Sequence, residues 1–484
     1  MKKLFERADA LDAWLRRCLL AAISSEGLFL AIMFLFNGVF NTDLFMAVRY
    51  LLAPLEQYVL RPWAGAMLAL FLVGKKNGRC LDTWPLVLVS LWLLLTFAFR
   101  FGTEVSTMEP WLNYTICFFV LYGSVRQAGT AHRERQMDIA CFGIALISLA
   151  VGIALLYCAW TGRTFFSYSD TVYFGVVKGQ LQHATHYNTT GMFALSCVMF
   201  CVLGLSRSKS VPSALYYLAA AAVMALVVVL TQSRTARYAM LAAFAVGVWS
   251  ELGDRLRIGR TALRHAAALA CAGAVLVGGY ALCTLVTDAA LAHYAGKPIP
   301  EAEMFVPSAF AQEETDGEAE PMQARAAIDA TFSYRTNIWK NVFKNWKNEP
   351  KYMLIGNGFG RSQWLVTEGT VHESAGHSSI HNAYLQFAAD YGVLAFGLLA
   401  LFLLTIVPSA LRVFFARGAA RVRGGSALCM AVVAALMTGM MESAPLEAMT
   451  PMNMMLFFAL AQLMAAGREM RAASAKSADT QKQA

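Results

Sequence analysis

Apolar runs close to the ~20 residues an α-helix needs to cross the hydrocarbon of a bilayer recur along this sequence and leave little room for anything else. A run of that length is too long for an ordinary strand. Repeated about a dozen times, such runs are also too apolar for a soluble surface to cover. The residue budget agrees, because 58% of the 484 residues are hydrophobic and 15% charged, whereas soluble domains run near half apolar and about a quarter charged. Length alone would suggest several soluble domains, but here the residues form helices in place of separate cores.

The pattern predicts an all-α polytopic membrane protein with about twelve transmembrane helices, at about 19–40, 58–74, 84–99, 109–125, 138–160, 187–205, 212–231, 235–252, 264–286, 384–407, 426–442 and 450–466. The second is the least regular. Leu44 to Leu60 carries Arg49, Pro54 and Glu56 and reads as an interfacial helix ahead of a short span. Residues 1–286 then hold spans one to nine, 287–383 one large loop, 384–467 spans ten to twelve, and 468–484 a tail.

The net charge of +9 is carried mostly by short connections between the apolar runs, where it sets orientation and calls for no nucleic acid partner. With the N-terminus placed inside, the inner connections and both ends collect 25 Lys and Arg. The outer ones, apart from the long loop, hold Arg100, Arg163, Lys178, Arg234 and Arg237, with Arg49 and Arg61 beside the irregular second span. That asymmetry places both termini in the cytoplasm and the large loop outside. Lys2, Lys3, Arg7, Arg16 and Arg17 precede the first apolar run, which has no small-residue cleavage motif and reads as an uncleaved helix. The ten cysteines form no CxxC and none falls in the long loop, so neither a disulfide framework nor a structural zinc site is expected.

The long loop has two parts. Residues 297–321 combine four prolines with seven acids, have little to bury and are expected to be mobile. Residues 323–348 have helical periodicity, with Ile328, Phe332, Trp339, Val342 and Trp346 on one stripe and Lys340, Lys344 and Lys347 on the other face. Arg335 projects from the middle of the apolar stripe. It either pairs with a carboxylate or reaches headgroups, as a buried charge must, or it clamps an anion above a membrane-embedded site.

Three further polar clusters lie at the outer ends of spans. Gln232-Ser233-Arg234-Thr235-Ala236-Arg237 puts two arginines where the positive-inside rule disfavours them. Three apart at a helix start, they share a face, and the helix N-terminus adds partial positive charge, a combination suited to a diphosphate. Binding outer-leaflet headgroups or capping a neighbouring helix would also explain them. His381-Asn382 opens the tenth span behind Ser378 and Ser379, either of which can cap that helix. A neutral histidine there can take a proton from a sugar hydroxyl, or can simply be satisfied at a helix start. A metal site from His372, His377 and His381 lacks thiolate or acidic partners.

The third cluster, Gln182 to Asn188, contains the pair His183 and His186 without a third ligand, and reads as polar lining of a headgroup cavity. Gly356-Asn357-Gly358-Phe359-Gly360 has no strand before it and reads as a tight turn. Glu442 and Glu447, in the last outer connection, are the acids available to pair with one of the arginines. Asp390, about two turns into its span, is expected to be the only acid inside a span. The absence of deep ionisable residues and of internal repeats speaks against a transporter.

In order and spacing, Gln232 to Arg237, Ser333-Tyr334-Arg335-Thr336-Asn337-Ile338-Trp339, Ile355-Gly356-Asn357-Gly358, and His381-Asn382-Ala383-Tyr384-Leu385-Gln386 with Tyr391-Gly392 after it resemble the bacterial O-antigen ligases and the related O-antigen polymerases and protein O-oligosaccharyltransferases. The resemblance covers about 180–400. It implies a GT-C-like glycosyltransferase architecture in the bacterial inner membrane. The enzyme would move a glycan from undecaprenyl diphosphate to an acceptor on the periplasmic side, for a ligase a lipid A core sugar. It further implies that Arg234, Arg237 and Arg335 hold the diphosphate and that His381 positions or deprotonates the acceptor hydroxyl, giving inverting displacement without a metal or other cofactor. His186, Asn188, Asn382 and Glu442 stand as secondary site candidates, and membrane lipids as the remaining partners. Two stretches depart from the family pattern: His186-Tyr187-Asn188-Thr189, where relatives often carry an Asn-rich turn, and the acidic segment 301–320. The shared motifs fix the chemistry better than the acceptor, and the twelve-span layout favours a ligase.

Overall fold

The computed structural model describes residues 20–40, 56–73, 83–99, 108–162, 164–166, 173–177, 180–183, 186–256, 261–294, 303–304, 328–358, 379–418 and 421–483. Each of the twelve apolar stretches carries a helix. In chain order these are α1 (Glu26–Leu35), α2 (Arg61–Val73), α3 (Trp84–Phe99), α4 (Glu109–Thr115), α5 (Thr130–Thr161), α6 (Tyr187–Arg207), α7 (Val211–Leu230), α8 (Arg234–Arg255) and α9 (Thr261–Tyr294). Two helices of the long loop follow, α10 (Ile328–Asn348) and α11 (Pro350–Ile355), and then α12 (Ala383–Phe414), α13 (Gly425–Gly439) and α14 (Pro451–Gln483). α4 continues through widened i→i+5 turns at Ile116–Ser124, and similar turns extend α1 over Phe36–Phe40 and lead into α2 over Glu56–Leu60.

Five helices, α5, α6, α7, α9 and α12, are long and apolar enough to cross a membrane by themselves, and α1, α2, α3 and α13 are shorter apolar helices. α6 and the first half of α14, from Met452 to Ala466, are buried nearly all round and form the centre of the bundle. α9 lies at the rim with Val277, Leu282 and Leu285 exposed. Where helices share an apolar solvent, close backbone approach holds them together. Gly191 of α6 is such a point: a Cβ there would stand 2.8 Å from the Ser233 side chain and 3.0 Å from that of Ala236.

The helices agree with the all-α polytopic expectation, and the structure adds features that the sequence did not show. A chain read as all-α also has a four-stranded sheet, in the order β3-β2-β1-β4, from β1 (Thr164–Phe166), β2 (Tyr173–Val177), β3 (Gln180–Gln182) and β4 (Glu303–Met304). β1–β2 and β2–β3 are antiparallel and β1–β4 is parallel. Three-residue strands lie below the reach of period-2 reading, and β4 comes from the acidic segment, the rest of which lies outside the described residues. The amphipathic helix expected over 323–348 is described from Ile328, with 323–327 outside the described residues.

Asp390 is not the only acid in a span. Glu26 is buried in α1, where its carboxylate accepts from Ser124 Oγ and meets His132 Nε2 at 3.0 Å. A carboxylate in the first apolar run is tolerated because two polar partners from α4 and α5 cover it.

The Gly-rich stretch does more than turn. Gly356 and Gly358 have positive φ, and the amides of Asn357 and Gly358 donate to the carbonyls of Ala389 and Asp390, each at 2.8 Å. Those carbonyls are available because α12 kinks at Gly392, whose φ of 86° is open to glycine at little cost. Trp92 Nε1 donates to the Tyr391 carbonyl at 2.7 Å and so occupies another acceptor of the broken turn. The long loop is thereby fastened to the N-terminal part of α12.

Candidate functional site

The starts of α6, α8 and α12 and the end of α13 meet at one end of the bundle, and α10 packs beside them. Each contributes one polar side chain for a local reason. At α6, His186 is the N-cap, its Nδ1 accepting from Asn188 N at 3.1 Å, which leaves the Asn188 amide turned inward and buried. At α8, Ser233 is the N-cap. Its Oγ accepts from Ala236 N at 3.4 Å and donates to Asn188 Oδ1 at 2.9 Å, across the approach that Gly191 permits. At α12, Asn382 is the N-cap, with Oδ1 accepting from Tyr384 N and Leu385 N. The cap was expected at Ser378 or Ser379; Ser378 lies outside the described residues, and Ser379 Oγ accepts from His381 N at 3.1 Å instead. At α13, Glu442 stands one turn past the helix end, its N–H donating to Thr438 O at 2.9 Å.

Glu442 is the centre of the cluster. Its Oε1 accepts from Arg335 Nη2 at 2.6 Å and from Asn188 Nδ2 at 2.8 Å, and its Oε2 lies 3.2 Å from His381 Nδ1. The Glu442 and Arg335 side chains are 6% and 10% exposed, and His381 is 20% exposed, so the imidazole is the most open of the three. One carboxylate thus receives a guanidinium, an amide and an imidazole, a charge-assisted set in surroundings that weaken it little. Glu447 stays apart, bonded to Ser443.

Arg335 is paired with the Glu442 carboxylate, as a buried charge must be. Ile338, Val342 and Trp346 of α10 pack on Ile380, Ala388 and Ala389, and Trp339 Nε1 donates to the Ile380 carbonyl at 3.0 Å. These contacts aim the arginine at Glu442. His381 and Gln232 both have positive φ, 53° and 54°. Such a conformation is uncommon away from glycine and marks backbone held in place by its surroundings.

Arg234 begins α8 directly after Ser233, one residue from the network. Arg237 is directed elsewhere: Nη2 donates to the Val229 carbonyl at 2.6 Å and to Thr287 Oγ1 at 3.0 Å, tying α8 to the end of α7 and to α9. No described contact joins Arg237 to Glu442. His186 serves as a cap. His183 is buried against Phe193 at 4.7 Å with its Nδ1 3.1 Å from Thr190 Oγ1, and burial pushes its pKa down to about 4. The two rings use their Nδ1 atoms on different partners. His372 and His377 lie outside the described residues, and no group of three or more metal-binding side chains forms among the described ones.

Sequence reasoning placed Glu442 among the candidates without choosing its partner, and it missed Ser233 as a member of the network. The signal for Ser233 was its position before the first arginine of a helix, an N-cap place whose hydroxyl can donate outward while accepting from the helix.

The fold and this cluster define a polytopic helical membrane protein with a buried, charge-paired polar site at one end of its bundle. Residues 219–400, somewhat over a third of the chain, match the model of a family described as O-antigen ligase, which supports the assignment to the O-antigen ligase family that the motifs suggested. No curated protein matches the sequence. Arg234, Arg237, Arg335 and His381 fall inside the matched segment; Asn188 and Glu442 fall outside it.

Proposed function

We propose that the protein is an O-antigen ligase, a glycosyltransferase that moves a glycan from undecaprenyl diphosphate to a sugar hydroxyl of the lipid A core on the periplasmic face of the bacterial inner membrane. The observation that carries this reading is the convergence of Arg335 and His381 on the single carboxylate of Glu442. The arrangement supplies two functions such a transfer needs: a positive group for a departing diphosphate and a base for the incoming hydroxyl. In the reading, the hydroxyl oxygen attacks the anomeric carbon from the face opposite the diphosphate and inverts its configuration. The bond to the diphosphate oxygen breaks with its electron pair, and the hydroxyl proton passes to His381 Nε2.

Glu442 orients the imidazole through Nδ1, so that Nε2 is the nitrogen that accepts the proton, and it favours the imidazolium that results. Arg335, with Arg234 at the start of α8, holds the diphosphate. Arg237 acts at one remove by fixing α8 against α9. The arginines carry the positive charge that the transfer requires, so the reading calls for no metal. It takes the chain to cross the membrane twelve times, with both termini in the cytoplasm and 287–383 in the periplasm.

The test is complementation of a strain deleted for the gene with wild type, His381→Ala or Glu442→Gln, with membrane levels of each protein measured alongside. Bare lipid A core together with long glycan retained on the carrier, for both variants at wild-type protein levels, is the expected result. Core carrying single repeats identifies a polymerase, and wild-type lipopolysaccharide from both variants overturns the reading.

A further inference from the structure

α10 carries a second face that the proposed reaction does not use. Arg335, Ile338, Val342, Asn345 and Trp346 are buried. Lys340, Phe343, Lys344 and Lys347 fall within about 100° of arc on the opposite side at ~100° per residue, and all four are exposed. No acid occurs between Arg335 and Asn348, and the three lysines make no ion pair among the described residues. This is not the mixed-sign face of an ordinary solvated helix. Phe343, 58% exposed, stands among the charges.

α11 continues the surface with Lys351, exposed beside Glu349, and with Leu354 and Ile355, both exposed. The Leu354 carbonyl lies against Gly392 of α12, and exposed Leu394, Leu401 and Leu404 carry the apolar surface on down that helix. α12 is long and apolar enough to cross a membrane. A helix with exposed apolar side chains thus packs against α11, which exposes Leu354 and Ile355 and directly follows the lysine face of α10 in the chain.

We propose that the exposed face of α10 and α11 is a docking surface for anionic phospholipid headgroups of the membrane that α12 crosses. Leu354 and Ile355 sit at the acyl boundary, Phe343 enters the headgroup layer, and Lys340, Lys344, Lys347 and Lys351 lay their stems along it with their ammonium groups on phosphates. Seating the outer face of α10 in this way would press its inner face, and Arg335 with it, toward Glu442.

The experiment places the full-length protein in nanodiscs of phosphatidylcholine alone and of phosphatidylcholine with phosphatidylglycerol, without glycan donor or acceptor, and measures amide hydrogen exchange over 340–355. Amides of Ala395 to Leu404 serve as the internal reference. Wild type is expected to exchange several-fold more slowly over 340–355 in the anionic discs, and the triple variant Lys340→Gln, Lys344→Gln, Lys347→Gln to lose the difference. Equal exchange of wild type in the two discs overturns the proposal. So does a lipid-dependent slowing that the triple variant retains. Because no turnover is read, neither outcome depends on the proposed transfer reaction.

Discussion

Replacing Glu442 with glutamine keeps the side-chain volume and an acceptor oxygen but deletes the charge on which Arg335, Asn188 and His381 converge. The Arg335 guanidinium, 10% exposed and 2.6 Å from Oε1, is then left as a buried cation whose partner is a neutral amide. Removing one member of a buried ion pair costs about 3–5 kcal/mol, most of it from the uncompensated charge that remains. Retention of one hydrogen bond by glutamine, worth about 1 kcal/mol, puts the expected loss near the lower end of that range. Unfolding in mixed micelles titrated with denaturing detergent reads this loss directly.

A cycle with Arg335→Met apportions it. If the pair interacts as described, the double variant is more stable than the sum of the single losses by about 1–3 kcal/mol. Turnover should fall further than stability, because His381 and Arg335 both lose their orientation, and a misplacement of about 1 Å can cost about a hundredfold in rate. Additive single losses together with wild-type glycan transfer by Glu442→Gln would refute the reasoning that the carboxylate organises the site.

Gly392→Ala should destabilise the protein by several kcal/mol, since the new Cβ would stand 2.0 Å from the Leu354 carbonyl on backbone with φ 86°; thermal unfolding in nanodiscs checks this, and wild-type stability would contradict the docking of the long loop onto α12. Gly191→Val should separate α6 from α8 and break the 2.9 Å bond from Ser233 to Asn188, lowering transfer activity more than membrane level. His183, held neutral by burial with a pKa of about 4, titrates near the usual ~6.5 when unfolded. Its contribution is therefore fully present above the unfolded value and is lost as pH falls from there toward 4, by about 3 kcal/mol in all. The unfolding midpoint of wild type should accordingly drop more than that of His183→Gln between neutral pH and pH ~4.5. Glu26→Ala should weaken the bundle by about 1–3 kcal/mol by leaving the Ser124 hydroxyl and His132 without their acceptor, with transfer per folded molecule unchanged.

The helices were legible because a bilayer-length apolar run carries its signal locally, and the same holds for the face of α10 that buries Arg335. What sequence could not supply was which distant groups meet. Arg335 and Glu442 lie 107 positions apart and Asn188 and Glu442 254 apart, and no local pattern encodes either pairing. Arg237 shows the same limit: spacing put it beside Arg234, but nothing local told that its guanidinium bonds the Val229 carbonyl and Thr287. Gly356 was visible as a turn while its purpose was not, because the carbonyls that accept from the loop become available only through a kink at Gly392 in another helix.

The sharing of one carboxylate has a consequence for the order of events in the proposed transfer. In the structure, Glu442 divides its two oxygens between Arg335 and His381, and the ion pair leaves the site close to neutral. An incoming diphosphate carries charge that competes with Oε1 for the Arg335 guanidinium, whose fork of donors can serve two acceptors. As Arg335 leans toward the diphosphate, Glu442 is left increasingly to His381. That favours the imidazolium formed when the hydroxyl proton moves. Donor binding would thus prime the base, and a hydroxyl arriving at an empty donor site would meet an imidazole with less carboxylate support. The expected signature is donor dependence of acceptor affinity in wild type that weakens in Glu442→Gln, measured by acceptor titration with and without a non-transferable diphosphate lipid. Acceptor binding that ignores the donor in wild type would sever this link while leaving the network itself intact.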